Sequence, residues 1–384
     1  MLTAQDNNQL TLLSLLDLSA AFDTIDHTTL LERLQYTYGV TDTALAWFRS
    51  YLSGRFQTVH IKDSHSSPSA LTCGVPQGSV LGPILFILYT QPISKIVSHH
   101  SLSHHCYSDD NQLYKSGPVT ELPYIISSTQ NCIADVKTWM TYNKLQLNDD
   151  KTELILIAPK RQSFSEPLPK SVLINDSDVL ISQNACNLGV IFDQSLSFEK
   201  YVSSICRTCY LELRRISSIR HYLSEDSTKT LVCAFILSRL DYCNSLLAGC
   251  PKHLLDKLQK IQNNAARLIF QVNRTSHVTP LLSSLHWLPV DKRIAYKISL
   301  ICYKSLHTLA PSYISDLLTL YTPSRQLRSS NDTSVLKIPV YRTKSSGYRS
   351  FSVQAPTIWN NLPHSIRSAS SLPSFKTKLK TYLF

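Results

Sequence analysis

A mixed α/β half followed by a basic, all-helical half is the fold class this sequence predicts, and three observations carry it. Short apolar runs alternate with helical patterns between residues 10 and 182, several of them ending on acidic residues. Beyond about Phe198 the apolar residues recur at helical spacing. Charge divides along the same line. Residues 1–198 hold 12 Lys/Arg and 18 Asp/Glu, a balance of −6, whereas residues 199–384 hold 26 and 9, a balance of +17.

Taken in order, residues 10–16 form an apolar run that reads as a buried strand ending at Asp17. Ser19 or the residues just after it open an amphipathic helix to about Gln35, closed by Gly39. A second helix runs from about Thr41 to Leu52 and stops at Ser53-Gly54. Residues 55–62 and 69–73 alternate like a hairpin around the polar Asp63–Ser67 loop. The turn-rich stretch Gly74–Ser79 leads into an apolar helix from about Val80 to Ser94. Residues 102–107 and 111–115 read as strands flanking Ser108-Asp109-Asp110, which puts the acid pair in a tight turn. A helix over 127–145 follows, then strands at Lys151–Ala158 and Val172–Ser182 separated by a Pro- and Ser-rich loop at 159–171. From Phe198 to Leu320, Leu254, Leu258, Ile261, Ala265 and Leu268 line one helix face opposite Lys260, Asn264 and Arg267. Ile294, Ile298 and Ile301 line another, beside a stripe of Arg293, Lys297 and Lys304. The tail from 322 is rich in Ser, Pro and Arg, with uncertain strands.

Composition narrows the function classes. The chain is 43% hydrophobic and 17% charged, which suits a globular protein, and no apolar run is long enough to span a bilayer. No basic n-region precedes the first apolar run, which argues against a signal peptide. Ten cysteines without a regular framework suit reduced thiols rather than a secreted disulfide scaffold. No glycine-rich phosphate loop is present. His99-His100 and His104-His105-Cys106 have no second ligand cluster at zinc spacing, and Cys206–Cys209 is a lone CxxC. Trp47, Trp139, Trp287 and Trp359 read as core anchors, with Trp287 equally able to stack on a base. The excess of positive charge in the second half points to a polyanion, nucleic acid above all, with a solvated surface as the plainer alternative.

Asp17, Asp109 and Asp110 stand out because each lies at the end or turn of an apolar strand. Rigid acids converging from separate strands are a usual way to hold Mg²⁺ for phosphoryl chemistry. Simple turn formation explains Asp109-Asp110 equally well when that pair is considered alone. The neighbouring residues add to this. Leu16-Asp17-Leu18-Ser19-Ala20-Ala21-Phe22-Asp23-Thr24-Ile25-Asp26-His27 resembles motif A of reverse transcriptases. Gly74-Val75-Pro76-Gln77-Gly78-Ser79-Val80-Leu81-Gly82-Pro83 resembles their motif B, and Tyr107-Ser108-Asp109-Asp110 their motif C. Leu147-Asn148-Asp149-Asp150-Lys151-Thr152 is similar to motif D, and Asn187-Leu188-Gly189-Val190 to motif E. The order is the family's. The detailed wording, with Leu285-His286-Trp287-Leu288-Pro289-Val290 downstream, resembles LINE-type retrotransposons, which lack long terminal repeats.

The resemblance implies an α/β (α+β) palm of a right-hand polymerase over residues 1–195, with its fingers largely missing. An all-helical thumb at 196–320 and a basic C-terminal region at 321–384 would follow. It implies RNA-directed DNA polymerisation with two Mg²⁺ (Mn²⁺ able to substitute), an RNA template, a DNA primer and dNTPs. Other parts of the element, an endonuclease domain or an RNA-binding protein, are implied partners, and nucleus and cytoplasm the implied compartments, with no membrane role. Asp17, the Leu18 carbonyl, Asp109 and, in a lesser role, Asp110 would hold the metals. Phe22 stands where the family places a steric gate against the 2′-hydroxyl, although a helix-core role fits it too. Gln77 and Gly78 match residues lining the nucleotide pocket. Lys151 matches a lysine that would protonate the pyrophosphate leaving group, or is a surface lysine after a turn. Asp23, Asp26 and His27 would cap or orient the helix. Lys260, Arg267, Arg293, Lys297 and Lys304 would contact nucleic-acid phosphates. Ser108 departs from the alanine more usual in the LINE family. Because the resemblance begins just before motif A, an N-terminally truncated element is the expectation. The alternatives are a non-catalytic nucleic-acid-binding remnant of such an element and, more remotely, a metal-dependent glycosyltransferase.

Overall fold

A computed structural model describes residues 1–159, 169–174, 177–322 and 334–384 of the chain. They divide into two compact units, Asn8–Gly189 with Met1, and Val190–Phe384 with Leu2–Asn7.

The first unit is built on a four-stranded antiparallel sheet. Its strands are β1 (Leu10–Ser19), β2 (Ser103–Tyr107), β3 (Asp110–Gly117) and β4 (Gln146–Ile157), in the spatial order β2-β3-β1-β4. β1 is central and buried from Leu10 to Ser14. Leu10 and Leu12 pack with Leu122, Ile125 and Leu156, while Leu16 and Leu18 enter a larger core with Phe86, Tyr89, Ile133, Val136 and Met140. Helix α5 (Leu122–Tyr142) covers the sheet, burying Leu122, Ile125, Thr129, Ile133, Val136 and Met140 at helical spacing. The other helices of this unit used below are α1 (His27–Glu32), α2 (Asp42–Leu52), α3 (Gly82–Thr90) and α4 (Ile93–His99).

Several boundaries differ from the sequence expectation. The first strand does not stop at Asp17; it continues to Ser19, and residues 20–26 form a turn rather than a helix. The helix starts only at His27, where the Asp26 carboxylate caps it by accepting from Thr29 N at 2.7 Å. The expected single helix from Val80 to Ser94 is two, because Pro92 has no N–H to continue the ladder. The helix expected at 127–145 is α5 and begins earlier, at Leu122. The strand expected at Lys151–Ala158 starts at Gln146. The expected strand Val172–Ser182 is a pair, Ser171–Ile174 antiparallel to Ser177–Leu180. Residues 160–168 of the predicted loop lie outside the described residues. The hairpin over 55–73 is present as two short antiparallel pairs, Phe56–Gln57 with Ser69–Ala70 and His60–Ile61 with Ser64–His65. Trp47 is no core anchor: it is 52% exposed and stacks on Tyr51.

Among the described residues the second unit is helical apart from short extended pieces. Its main helices are α6 (Glu199–Ile219), α7 (Lys252–Phe270), α8 (Val290–Leu306), α9 (Phe351–Asn360) and α10 (Leu372–Leu383). The Asp193 carboxylate organises the entry to α6, accepting from the backbone N–H groups of Ser195, Ser197 and Phe198 and from both serine hydroxyls at 2.7–3.1 Å. On α7 the buried residues are Leu254, Leu258, Ile261, Ala265, Ala266 and Ile269, so Ile269 takes the core position expected of Leu268. Likewise Cys302, not Ile301, is fully buried on α8. Where it is described, the tail is mainly helical, with one extended piece at Leu336 bridged antiparallel to Leu320. Trp359 of α9 and Phe375 of α10 are fully buried, with the Phe375 ring stacked on Tyr303 of α8. Residues 323–333 of the tail lie outside the described residues. Asp6, from the N-terminal segment, belongs to this unit: its carboxylate accepts from Arg342 N, Thr343 N and Thr343 Oγ1 at 2.7–2.8 Å.

Candidate active site

The sheet brings the acids together by register. β1 pairs with β3 as far as Leu16↔Asn111, which leaves Asp17 and Asp110 next along each strand, both lining one cavity. The β2–β3 hairpin closes at Tyr107↔Asp110, with Ser108 in the left-handed region at φ 57°. On its other flank β1 pairs Leu15 with Glu153 and Asp17 with Asn148. Two steps along β1 therefore answer to five along β4, and the resulting bulge turns Lys151 back toward the acids. Lys151 Nζ lies 3.2 Å from Asp17 Oδ2 as an ion pair. That oxygen is buried and has no hydrogen-bond partner among the described residues. Asp17, Asp110, Lys151 and Glu153 line one cavity of about 410 Å³, with Cys186, Asn187 and Leu188 on its far wall.

The electrostatics are those of a site short of positive charge. Asp110 is exposed, yet its carboxyl is pushed up from the usual range by partial desolvation and then by the charges of Asp109 and Asp17. Cys106 is pushed up to about 11 by burial and by the same two turn acids, Asp109 and Asp110. Carboxylate oxygens as donors, a buried Asp17 oxygen met only by the exposed Lys151 ammonium, and mutual repulsion among acids fit a hard divalent cation such as Mg²⁺. Among the described residues no three acidic, His or Cys side chains are grouped so that they could by themselves hold a metal ion. The chain's share of such a shell would be completed by water and substrate phosphates, as Mg²⁺ commonly requires. Leu18 contributes here only its backbone, since its side chain is buried in the core and its strand position pairs with Leu147.

A second group of residues is held by the turn after β1 and the 74–79 loop, which are stitched together. Gly74 N donates to Ile25 O and Val75 N to Phe22 O, both at 2.8 Å, and His27 Nε2 lies 2.7 Å from Gly74 O. Gly74 has φ +85°, and a Cβ there would stand 2.8 Å from the Asp23 carbonyl oxygen, so only glycine allows this approach. Gln77 Nε2 donates to both carboxylate oxygens of Asp23 at 2.9–3.0 Å. Gly78, at φ +75°, faces open space. The half-buried Phe22 ring sits 5.2 Å from Phe86 of α3. Ser79 Oγ accepts from Gly82 N at 3.0 Å and donates to Pro76 O at 2.7 Å, which fixes the start of α3.

The five basic residues expected to contact nucleic acid do not share one face. Lys260 and Arg267 line a groove of about 980 Å³, while Arg293 and Lys297 line a separate cavity of about 350 Å³. Arg293 is engaged by Asp241 Oδ2 at 2.7 Å and Leu288 O at 2.8 Å, and so braces the fold. Lys304 lines neither cavity and is half-buried. Trp287 is buried and unavailable for stacking.

Residues 2–192 match the family described as reverse transcriptase (RNA-dependent DNA polymerase). The matched residues form a reverse transcriptase domain. The chain is 28% identical over 291 residues to a probable RNA-directed DNA polymerase from transposon X-element of Drosophila melanogaster, covering 72% of this chain and 31% of that one. It is 26% identical over 294 residues to the corresponding protein from transposon BS of the same species (73% and 31% covered). It is 24% identical over 265 residues to an RNA-directed DNA polymerase from mobile element jockey of Drosophila funebris (66% and 28% covered). The chain thus spans about a third of the length of these relatives. Among solved structures, apo telomerase from Candida tropicalis aligns with a TM-score of 0.38 at 13% identity, covering 79% of this chain and 52% of that one. The family match and these relatives support the LINE-type resemblance over the matched residues, and the acid-bearing sheet fits the palm-type fold of such polymerases.

Within the reverse transcriptase domain, two residues at or beside the site, Glu153 and Gln112, do not stand out in the sequence, which suggests another role for a third, Asp23. Glu153 shares the cavity of the acids and accepts from Cys186 N at 3.2 Å; its period-2 spacing from Lys151 was the available signal. Asp23 positions Gln77 instead of capping a helix. Gln112 Nε2 donates to Asn187 Oδ1 at 2.8 Å and so anchors motif E to β3, a pairing with no local signature. No described helix is long and apolar enough to cross a membrane.

Proposed function

We propose that this chain is an RNA-directed DNA polymerase that joins dNTPs to a primer 3′-hydroxyl on an RNA template. The observation that carries the reading is that Asp17, just beyond the last β1–β3 pair, and Asp110, next to Asp109, line one cavity of a reverse transcriptase domain. Asp17, Asp109, Asp110 and the Leu18 carbonyl would hold two Mg²⁺ (or Mn²⁺), which when bound supply Lewis-acid activation of the hydroxyl and charge neutralisation of the phosphates. The primer oxygen bonds to the α-phosphorus, and the bond to the bridging β-phosphate oxygen breaks. Lys151, already 3.2 Å from Asp17, is poised to give its proton to departing pyrophosphate. The Phe22 ring, backed by Phe86, leaves a 2′-hydroxyl neither space nor a partner, favouring deoxynucleotides. Gln77, held by Asp23, and the open Gly78 line the nucleotide's place.

Residues 1–195, apart from Leu2–Asn7 and 190–195, which belong to the second unit, act as the palm and 196–320 as the thumb, with 321–384 completing the basic half; the element's nuclear and cytoplasmic life cycle supplies the setting. Lys260, Arg267, Lys297 and Lys304 supply phosphate contacts, with Arg293 acting mainly as a brace. The test is primer extension on an RNA template with dNTPs and Mg²⁺. Extension by the wild-type chain that vanishes in Asp109→Asn/Asp110→Asn supports the reading. Extension that survives the double substitution overturns it, and template–primer binding with no extension by either protein favours a non-catalytic binder.

A further inference from the structure

A groove of about 980 Å³ in the second unit lies between α6 and α7, and its lining is chemically one-sided. Arg214, Arg220, Lys260, Arg267 and Arg274 line it together with His221, and neither an Asp nor a Glu does. None of the five cations forms an ion pair among the described residues. Two of them are oriented by backbone oxygens. Arg220 donates to the carbonyls of Leu268, Ile269 and Leu223 at 2.7–3.0 Å, and Arg267 to that of Ser276 at 3.1–3.3 Å. Carbonyl partners fix a guanidinium in place without neutralising it, so the groove keeps its full positive charge.

The lining falls on two facing stripes at helical spacing. Tyr210, Arg214, Ser217 and His221 follow one face of α6 and its extension; Lys260, Asn263, Asn264, Arg267 and Gln271 follow one face of α7. Lys260 and Arg267, seven residues apart, stand about 10.5 Å apart along the axis. Between the cations lie the side-chain amides of Asn263, Asn264 and Gln271, able to donate to and accept from base edges, and Tyr210, which is 45% exposed. Cations for phosphates, an accessible aromatic ring and amides for bases together make the pattern of a strand-binding groove. An exposed ring and side-chain amides reach base faces and edges most readily where the bases are unpaired, so this lining suits a single strand better than a duplex, whose bases are stacked and paired.

We propose that the α6–α7 groove binds a single strand of nucleic acid, a few nucleotides long, distinct from any grip on the template–primer duplex. The partner is an unpaired stretch of polynucleotide; RNA and DNA share the required chemistry. The inference rests on the polymerase reading only for its biological setting, because the groove is defined by its own residues.

The experiment is fluorescence anisotropy with the full chain in EDTA, where polymerisation cannot proceed, so that a failure of the polymerase reading leaves this readout intact. The probes are short oligo-rU, oligo-dT and a blunt RNA–DNA duplex. Arg214→Gln/Arg274→Gln and Tyr210→Ala alter exposed side chains, and their thermal melts are expected to match the wild type. The charge variant is expected to bind the single strands at least about tenfold more weakly at low salt. Its plot of log affinity against log salt should be flatter by about 1.4, since each phosphate contact to a single strand is worth about 0.7. Tyr210→Ala should weaken single-strand binding about tenfold with the slope unchanged. The two single-strand probes distinguish an RNA source from a DNA source. Equal weakening on the duplex would reveal an unspecific cationic surface and overturn the proposal, as would unchanged single-strand binding by both variants.

Discussion

Replacing Gly74 with alanine tests the stitch between the turn after β1 and the 74–79 loop, and Gly78 provides an internal control. Both glycines have positive φ, +85° and +75°, so an alanine at either carries about 1–2 kcal/mol of left-handed strain. They differ in surroundings. A Cβ at Gly78 meets nothing within 4 Å, whereas at Gly74 it would stand 2.8 Å from the Asp23 carbonyl oxygen and 3.0 Å from its Cα. Backbone at both sides of that contact leaves little room to yield, and overpacking of this kind adds about 1–3 kcal/mol. Gly78→Ala should therefore cost about 1–2 kcal/mol and Gly74→Ala about 2–5 kcal/mol, the sum of the two effects. For a unit of this size each kcal/mol lowers Tm by about 2–4 °C, so the drop should be roughly twice as large for Gly74→Ala. Scanning calorimetry on matched preparations measures both. Equal drops would mean that the Gly74–Asp23 approach is not a hard contact, and the account of how Phe22 and Gln77 are held together would fail.

Two further outcomes are expected. Lys151→Met should lower kcat for single-nucleotide incorporation about a hundredfold, within the range of general-acid contributions, with little change in KM for dNTP. Its Tm should hardly move, because the lysine is 68% exposed and such surface pairs are worth at most about 1 kcal/mol; pre-steady-state incorporation and a melt check the two halves. Asp193 is affected by burial, which raises its pKa, but the hydrogen bonds from Ser195, Ser197 and Phe198 outweigh this and hold it below the ordinary carboxylate value. Since the folded pKa is depressed, its stabilisation is complete above the unfolded value near 3.9 and is lost as pH falls toward the folded one. Acid unfolding followed by circular dichroism should therefore show a steeper loss below about pH 4 for wild type than for Asp193→Asn, which should be less stable at neutral pH.

The central strand and its acids were legible because an apolar run that ends on Asp17 has few other readings, and because Ser108-Asp109-Asp110 separates two strand patterns. The helix expected from Ser19 was not, for a tertiary reason. Ser19-Ala20-Ala21 looks like a helix start, but Phe22 O and Ile25 O are committed to Val75 N and Gly74 N, fifty residues away. The bulge that delivers Lys151 is equally invisible to periodicity, since it depends on how many residues of β4 fit against β1 between two fixed pairs. The C-terminal helices were within reach. Ser371, whose side chain accepts from Ser374 N, and Pro373 in the first turn are start signals for α10, masked by the Ser- and Pro-rich composition around them.

Asp6 ties the beginning of the chain to residues 342 and 343, and this has a consequence for synthesis. The segment carrying Asp6 must wait for a partner made more than three hundred residues later, roughly 20–70 s at ordinary elongation rates. The first unit can assemble its sheet in that interval, but the second is completed only when the Asp6 carboxylate closes on the loop at 342–343. Any nascent chain that stops short of that loop leaves a buried-type carboxylate with nothing to hold. Truncation before residue 342 would then be felt at Leu2–Asn7, where an undocked segment is open to proteolysis or chaperone capture.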